Sequence, residues 1–238
     1  MIVHPKNWKE TGSTVTTERV ERELRNVLAD INCDCLSFSG GIDSTLLLYF
    51  MCRIFKKVRA FTIGKSPQHP DVLSAKDVVE HYREKFTIEH FVHYPLMNEL
   101  KEMKRENFPG DNVVKMFYRY VSEYTDRIVA GDGVDEFMCG YYSHMESPDF
   151  YKTYYDHLRR LQKEHLVPLD LNSGQVLVYL PYIDERVISL LSQIPIEDKV
   201  DSKSRKKIMV TMAQGKMSDE VITRRKYGFC DALAGNKH

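Results

Sequence analysis

Residues 35–55, CLSFSGGIDSTLLLYFMCRIF, read as an apolar strand, a turn on two glycines and a helix that is apolar almost all round. A helix buried on both sides, entered straight from a strand, belongs to a parallel crossover, because parallel strands need a connection long enough to hold a helix. The pattern recurs. VRAFTI predicts a second strand, the turn GKSPQHP leads to a helix over DVLSAKDVVEHYREKF, TIEHFVHY predicts a third strand, and DRIVAGDG a fourth that ends in glycines. Ahead of them, TERVERELRNVLADI sets Val20, Leu24, Val27, Leu28 and Ile31 on one helical face, with Thr17 as N-cap and Glu18 in the first turn. The expected fold is α/β, a mainly parallel sheet flanked by helices.

From about residue 145 the pattern turns helical. Asp149 to Glu164, DERVISLLSQI, RKKIMVTMA and Met217 to Arg225 are expected helices, interrupted by Pro168, Pro181 and Pro195, and together a roof over one edge of the sheet. The 238 residues suit one well-packed domain, with no internal repeat or low-complexity tract. Thirty-four basic residues balance 34 acidic ones, which argues against generic nucleic-acid coating and leaves room for a local basic site. No apolar run approaches the roughly 18 residues of a membrane span and the opening MIVHPKNWKETGST has no leader pattern, so a soluble cytoplasmic protein is expected. The five cysteines, Cys33, Cys35, Cys52, Cys139 and Cys230, form no CxxC unit and read as free buried thiols.

Ligands on parallel sheets bind at the carboxyl ends of the strands, which brings SGGIDS and GDGVDE to the same edge. Gly40 and Gly41 let the backbone approach a ligand, the following helix start offers N–H groups to an anion, and Ser37, Ser39 and Ser44 add hydroxyls. Phosphate is the expected guest. Neither GxxxxGK[ST] nor GxGxxG occurs here, and Asp43 has the wrong charge for a bare phosphate unless it holds Mg²⁺. Asp132, Asp135 and Glu136 in the second loop supply further carboxylates, so the two loops together predict a magnesium–nucleotide site. The competing reading makes both loops ordinary turns whose carboxylates cap helices.

SFSGGIDS resembles the SGGxDS loop of the N-type ATP pyrophosphatases, and GDGVDEFMCGYY is similar to the GDGxDExxGGY motif of the asparagine synthetase synthase domain and of beta-lactam synthetases. VYLPYIDERVISLLSQIP, RKKIMVTMA and MSDEVITRRKYGF resemble that family's later segments in order, so the likeness runs from about Cys35 to Ala232. It implies an adenine-nucleotide alpha-hydrolase-like fold and an ATP-dependent, AMP-forming ligase that adenylates a carboxylate and joins it to ammonia or an amine. It also implies a site. Ser39, Gly40, Gly41, Asp43 and Ser44 would hold the departing pyrophosphate, with Ile63 near adenine and with Ser37 and Gly131 also among the nucleotide-binding residues; Asp43 and Asp135 would bind Mg²⁺. Lys206 would steady the phosphates, Asp132 would serve the second substrate or its amine, and Lys226 matches the lysine of the terminal motif.

Departures accompany the likeness. Residues 1–34 are expected to be a helical N-terminal extension with no glutaminase domain, ahead of a synthase domain over 35–238. Ammonia would then come free, from an amine substrate, or from a separate subunit. Leu177 and Tyr179 replace the family's E-x-R charges, Cys139 stands in place of a glycine, and Val210 in place of an arginine. Lys203, Arg205, Lys207, Arg224 and Arg225 read as a solvated face, and His69, His90 and His93 as structural or surface residues. The aromatic residues of KMFYRYVSEY and FYKTYYDHL read as packing, and the loops GKSPQHP and ENFPGDNVV as pocket walls. Two rival functions share these residues: ATP-dependent modification of a nucleobase or tRNA, and a non-catalytic nucleotide- or partner-binding domain.

Overall fold

The computed structural model describes residues 15–96 and 111–225. Five strands, β1 (Cys35–Ser37), β2 (Lys57–Ile63), β3 (Thr87–His93), β4 (Arg127–Val129) and β5 (Leu177–Tyr179), form one parallel sheet in the order β3-β2-β1-β4-β5. Central β1 is apolar because it is covered on both faces, with Leu36 in register between Ala60 and Val129. As β1 and β4 are adjacent and parallel, the SGGIDS and GDGVDE loops leave the sheet at the same edge.

Helix α1 (Thr17–Ile31) buries Val20, Leu24, Val27 and Leu28, the face its spacing predicts. Its N-cap is Thr16 rather than Thr17: Thr16 has the extended backbone a cap needs, and its hydroxyl accepts from the Arg19 amide. Helix α2 (Ile42–Ile54) is buried on nearly every side, from Ser44 to Leu48 and again from Phe50 to Cys52. Helix α3 (Pro70–Arg83) begins on His69, whose ring nitrogen accepts from the Asp71 amide, so GKSPQHP serves as a helix start and is absent from the cavity wall described below.

Helix α4 (Asp111–Ser122) buries Phe117 and Tyr118, the packing role expected of its aromatic residues. Two single-turn helices, α5 (Val134–Phe137) and α6 (Tyr142–Met145), follow β4. The helix expected over 149–164 is longer and broken in character: α7 (Phe150–Arg160) widens into a π segment, Leu161–Leu166, before α8 (Val167–Asn172). Pro168 supplies the reason, since it has no N–H and its ring would meet the carbonyl four residues back.

The helical half also contains β5, a strand the sequence reading did not foresee. Three residues of LVY carry too little period to announce a strand, and pairing with β4 alone defines them. After it come a 3₁₀ turn at Pro181–Ile183, α9 (Glu185–Leu191), α10 (Ile196–Lys199), α11 (Lys207–Ala213) and α12 (Asp219–Thr223). Among the described residues no helix is long and apolar enough to cross a membrane.

Candidate active site

The loop after β1 is tied together before any ligand arrives. Ser44 Oγ donates to the Gly41 carbonyl at 3.2 Å and lies 3.3 Å from Ser39 Oγ, while the Ser39 amide reaches Ser44 Oγ at 3.3 Å. The two glycines have different tasks. Gly40 has φ +68°, and a Cβ there would lie 2.4 Å from the Ala75 backbone nitrogen of α3; its carbonyl accepts from Ser74 Oγ at 2.8 Å. Gly40 therefore docks the loop on α3 and is absent from the cavity wall, contrary to the expectation that it faces a ligand. Gly41 keeps that role, on the wall at the N-cap of α2, where as a glycine it makes no side-chain cap to the first amides of the helix.

Around this loop lies a cavity of about 800 Å³, within the usual range of small-molecule sites. Ser37, Ser39, Gly41, Asp43, Ser44, Ile63, Gly131, Asp132, Asp135 and Lys206 all line it, so most of the residues singled out in the sequence meet in one place. Phe38, Phe61, Thr62 and Ile63 make an apolar stretch of wall at the ends of β1 and β2. Lys226 and the segment 97–110 lie outside the described residues.

Lys206 joins the two loops. Its ammonium lies 2.5 Å from Asp43 Oδ2 and 2.6 Å from Asp135 Oδ1, although the lysine and Asp43 are 163 positions apart. Only 3% of Lys206 is exposed. Burial drives its pKa below the ordinary lysine value and Asp43 opposes the shift; each buried charge is tolerable because the other is there. Lys206 itself sits at φ 55°, a left-handed conformation that costs a residue with a Cβ about 1–2 kcal/mol. Gly140 makes the cluster possible: a Cβ there would lie 1.8 Å from Asp135 Oδ1 and 2.3 Å from Lys206 Cε. The Tyr182 hydroxyl donates to the Asp43 carbonyl at 2.9 Å and fixes the first turn of α2 from below.

Two carboxylates from separate loops are the oxygen donor set Mg²⁺ takes alongside phosphate oxygens, and the lysine ammonium already marks the point between them as cationic. Asp43 and Asp135 thus fit the metal the sequence predicts. No group of three or more His, Cys, Asp or Glu residues placed to hold a metal ion occurs among the described residues, so a tighter all-protein cage is not what this site offers.

A second constellation escaped the sequence reading. His165, at the end of the π segment, also lines the cavity, with Nε2 2.8 Å from Asp132 Oδ1 and Nδ1 3.9 Å from Glu136 Oε1. Burial opposes its charge, but the hydrogen bond to Asp132 and the charges of Asp132 and Glu136 prevail and push the imidazole up to about 9. Glu136 accepts from the Tyr141 hydroxyl at 2.8 Å, and burial together with that carboxylate holds the phenol well above its ordinary pKa. Nothing in the spacing links His165 to the GDGVDE loop.

The supposed solvated face needs correcting at several positions. Lys203, Arg205, Lys207, Arg224 and Arg225 all reach the cavity wall. Arg205 stacks over the Tyr142 ring at 4.1 Å and donates to the Gly140 carbonyl, while Arg224 pairs with Asp71 and donates to the Ser39 carbonyl at 3.2 Å. Arg205 thus ties the segment before α11 to Gly140, between α5 and α6, and to the start of α6, and Arg224 ties the end of α12 to the loop after β1 and to α3. Lys207 pairs with Asp201 at 3.2 Å, nearer to the expected solvated role.

Other positions are simpler. Cys139 is fully buried at φ 54°, with its thiol pushed up to about 12 by burial; the backbone there explains why a glycine would suit the position, and the thiol is no nucleophile. Leu177 is 60% exposed on β5, and neither it nor Tyr179 lines the cavity, so the two positions where the family's charges are replaced lie off its wall. Val210, by contrast, does line it. His90 shares a 2.8 Å hydrogen bond with Thr62 Oγ1 and His93 stacks on Tyr120, both structural roles as expected.

No curated protein matches this chain. The family profile described as asparagine synthase matches residues 25–178 and 173–237, a span that takes in all five strands, both carboxylate loops and Lys206. The chain belongs to the asparagine synthase family.

Proposed function

We propose that this protein is an ATP-dependent ligase that adenylates a substrate carboxylate, releases AMP and pyrophosphate, and joins the acyl group to ammonia or an amine. Family membership supports a synthetase-like ligase role in general. The finer reading rests on one observation: Asp43 and Asp135, from the two strand-end loops, converge on the buried Lys206 beside the amides and hydroxyls of the SGGIDS loop.

In this reading ATP is a substrate. Ser39, Gly41 and Ser44 would bind its phosphates, and the wall at Ser37, Phe38 and Ile63 would take the base, with Gly131 alongside; Gly40 would act indirectly, by seating the loop on α3. Asp43 and Asp135 would hold Mg²⁺, which when bound supplies charge neutralisation to phosphate oxygens. Lys206 would stabilise charge developing at the α phosphorus and on the departing pyrophosphate. We also assign the synthase unit to residues 35–238, against which α1 packs Val20, Leu24, Val27 and Leu28 in the same core. Asp132 would face the second substrate, and Lys226 and a separate ammonia-supplying subunit remain part of the proposal.

The test is turnover of α-labelled ATP with Mg²⁺ over a panel of amino acids, other carboxylates, nucleosides and small RNAs, with and without ammonia. AMP and pyrophosphate that depend on a carboxylate, and that vanish in Asp43→Ala and Asp135→Ala, are the expected result. AMP release driven by RNA or a nucleoside would replace this reading with nucleobase modification, and ATP binding without AMP under every condition would make the domain non-catalytic.

A further inference from the structure

The cavity wall presents few groups able to accept a proton. Asp43 and Asp135 are engaged by Lys206, Asp71 by Arg224, and the arginines stay charged at any working pH. His165 differs. Its Nε2 is 2.8 Å from Asp132 Oδ1, so in the uncharged ring Nε2 carries the hydrogen toward that carboxylate and Nδ1 keeps its lone pair. Nδ1 stands 3.9 Å from Glu136 Oε1, beyond a hydrogen bond yet near enough for the carboxylate's charge to stabilise a proton there. Glu136 is 3% exposed and is held in turn by the Tyr141 hydroxyl. A cavity-lining imidazole fixed in one tautomer by one carboxylate and backed by a second is the arrangement of a positioned base.

We infer that His165, oriented by Asp132, takes the proton from the nitrogen nucleophile in the amide-forming half of the reaction. This rests on the ligase reading of the same cavity. In that step the nitrogen forms a bond to the acyl carbon, the bond from that carbon to the phosphate oxygen breaks, AMP leaves with the bonding electrons, and the proton shed by nitrogen passes to His165 Nδ1 and on to solvent. The groups facing the ring are Asp132 and Glu136, with Tyr141 behind Glu136. Both carboxylates favour the imidazolium, so the competent neutral ring gains population as pH rises toward 9.

The two halves of the reaction separate the claims. Using the carboxylate that releases AMP in the panel above, adenylation is followed as pyrophosphate exchange into ATP without any amine, and transfer as hydroxamate formation with hydroxylamine, which is mostly uncharged over the range and is held at a constant concentration of its free base. His165→Gln should keep exchange within about twofold and lose roughly 100-fold in hydroxamate formation. The wild-type transfer rate should rise between pH 6.5 and 9, the variant's should not, and free imidazole should restore transfer in His165→Ala. Hydroxamate formation by His165→Gln at the wild-type rate, or an equal loss in both halves, would overturn the inference. Absence of exchange in the wild type would instead overturn the ligase reading beneath it.

Discussion

Lys206 shows how one side chain can hold a site together. Three charged groups are withdrawn from water, and the ammonium is what lets Asp43 and Asp135 lie so close. Replacing it with methionine leaves two carboxylates facing each other, and Lys206→Met should lose about 3–5 kcal/mol in a urea melt. The same variant makes the metal assignment testable without turnover. Millimolar Mg²⁺ should raise its melting temperature clearly more than the wild type's, because the ion replaces the missing charge; equal responses would show that the carboxylates do not bind the metal. Gly140 is the silent partner, since its missing side chain is the space these groups occupy.

At the scale of elements, the fold works by setting backbone against backbone. The loop after β1 can lie on α3 because Gly40 is left-handed and has no Cβ to strike Ala75. Gly40→Ala should therefore cost about 2 kcal/mol or more, from the forced backbone and the displacement of α3. Gly41→Ala is the informative contrast. Its Cβ would meet only Ser39 Oγ at 3.4 Å, so stability should change by less than about 1 kcal/mol while ATP binding, followed by calorimetry, weakens. A reversed pattern, with Gly41 the more damaging to folding, would mean the loop is seated differently. The π segment has a comparable positional role: it sits between α7 and α8 and ends by carrying His165 to Asp132.

Across the whole molecule, histidines with shifted pKa values among the described residues bear on the pH range of stability, His157 being lowered by burial in the same sense as His90 and His144. Burial holds His90 and His144 down at about 4, so each is neutral when folded and protonates more readily when unfolded. Their contribution is complete above about 6.5, the unfolded value, and is lost as pH falls toward 4, together a few kcal/mol at the order of magnitude. His165 acts in the opposite sense. Its pKa of about 9 lies above the unfolded value, so its contribution is complete below about 6.5 and is lost as pH rises through 9. Denaturation midpoints should thus peak near pH 6.5, and His165→Gln should flatten the alkaline limb alone. An alkaline limb unchanged in that variant would rule out the Asp132–His165 pair as its source.

What could be read from sequence was written in neighbouring residues. Apolar period announced β1 to β4 and the buried α2; turn chemistry announced both glycine loops; the carboxylates Asp43, Asp132 and Asp135 stood inside those loops. These are short-range signals, set by backbone sterics and by the burial that each element demands. Tertiary structure alone decided that Lys206 lies between Asp43 and Asp135, that Gly40 serves α3 rather than the cavity, and that Arg205 stacks on Tyr142 instead of facing water. It likewise made LVY a strand by pairing it with β4 and brought His165 to Asp132 across 33 positions. The physical reason is common to all of them: a contact between distant side chains depends on how the crossovers and the helical roof pack, and no local period or turn residue encodes that packing.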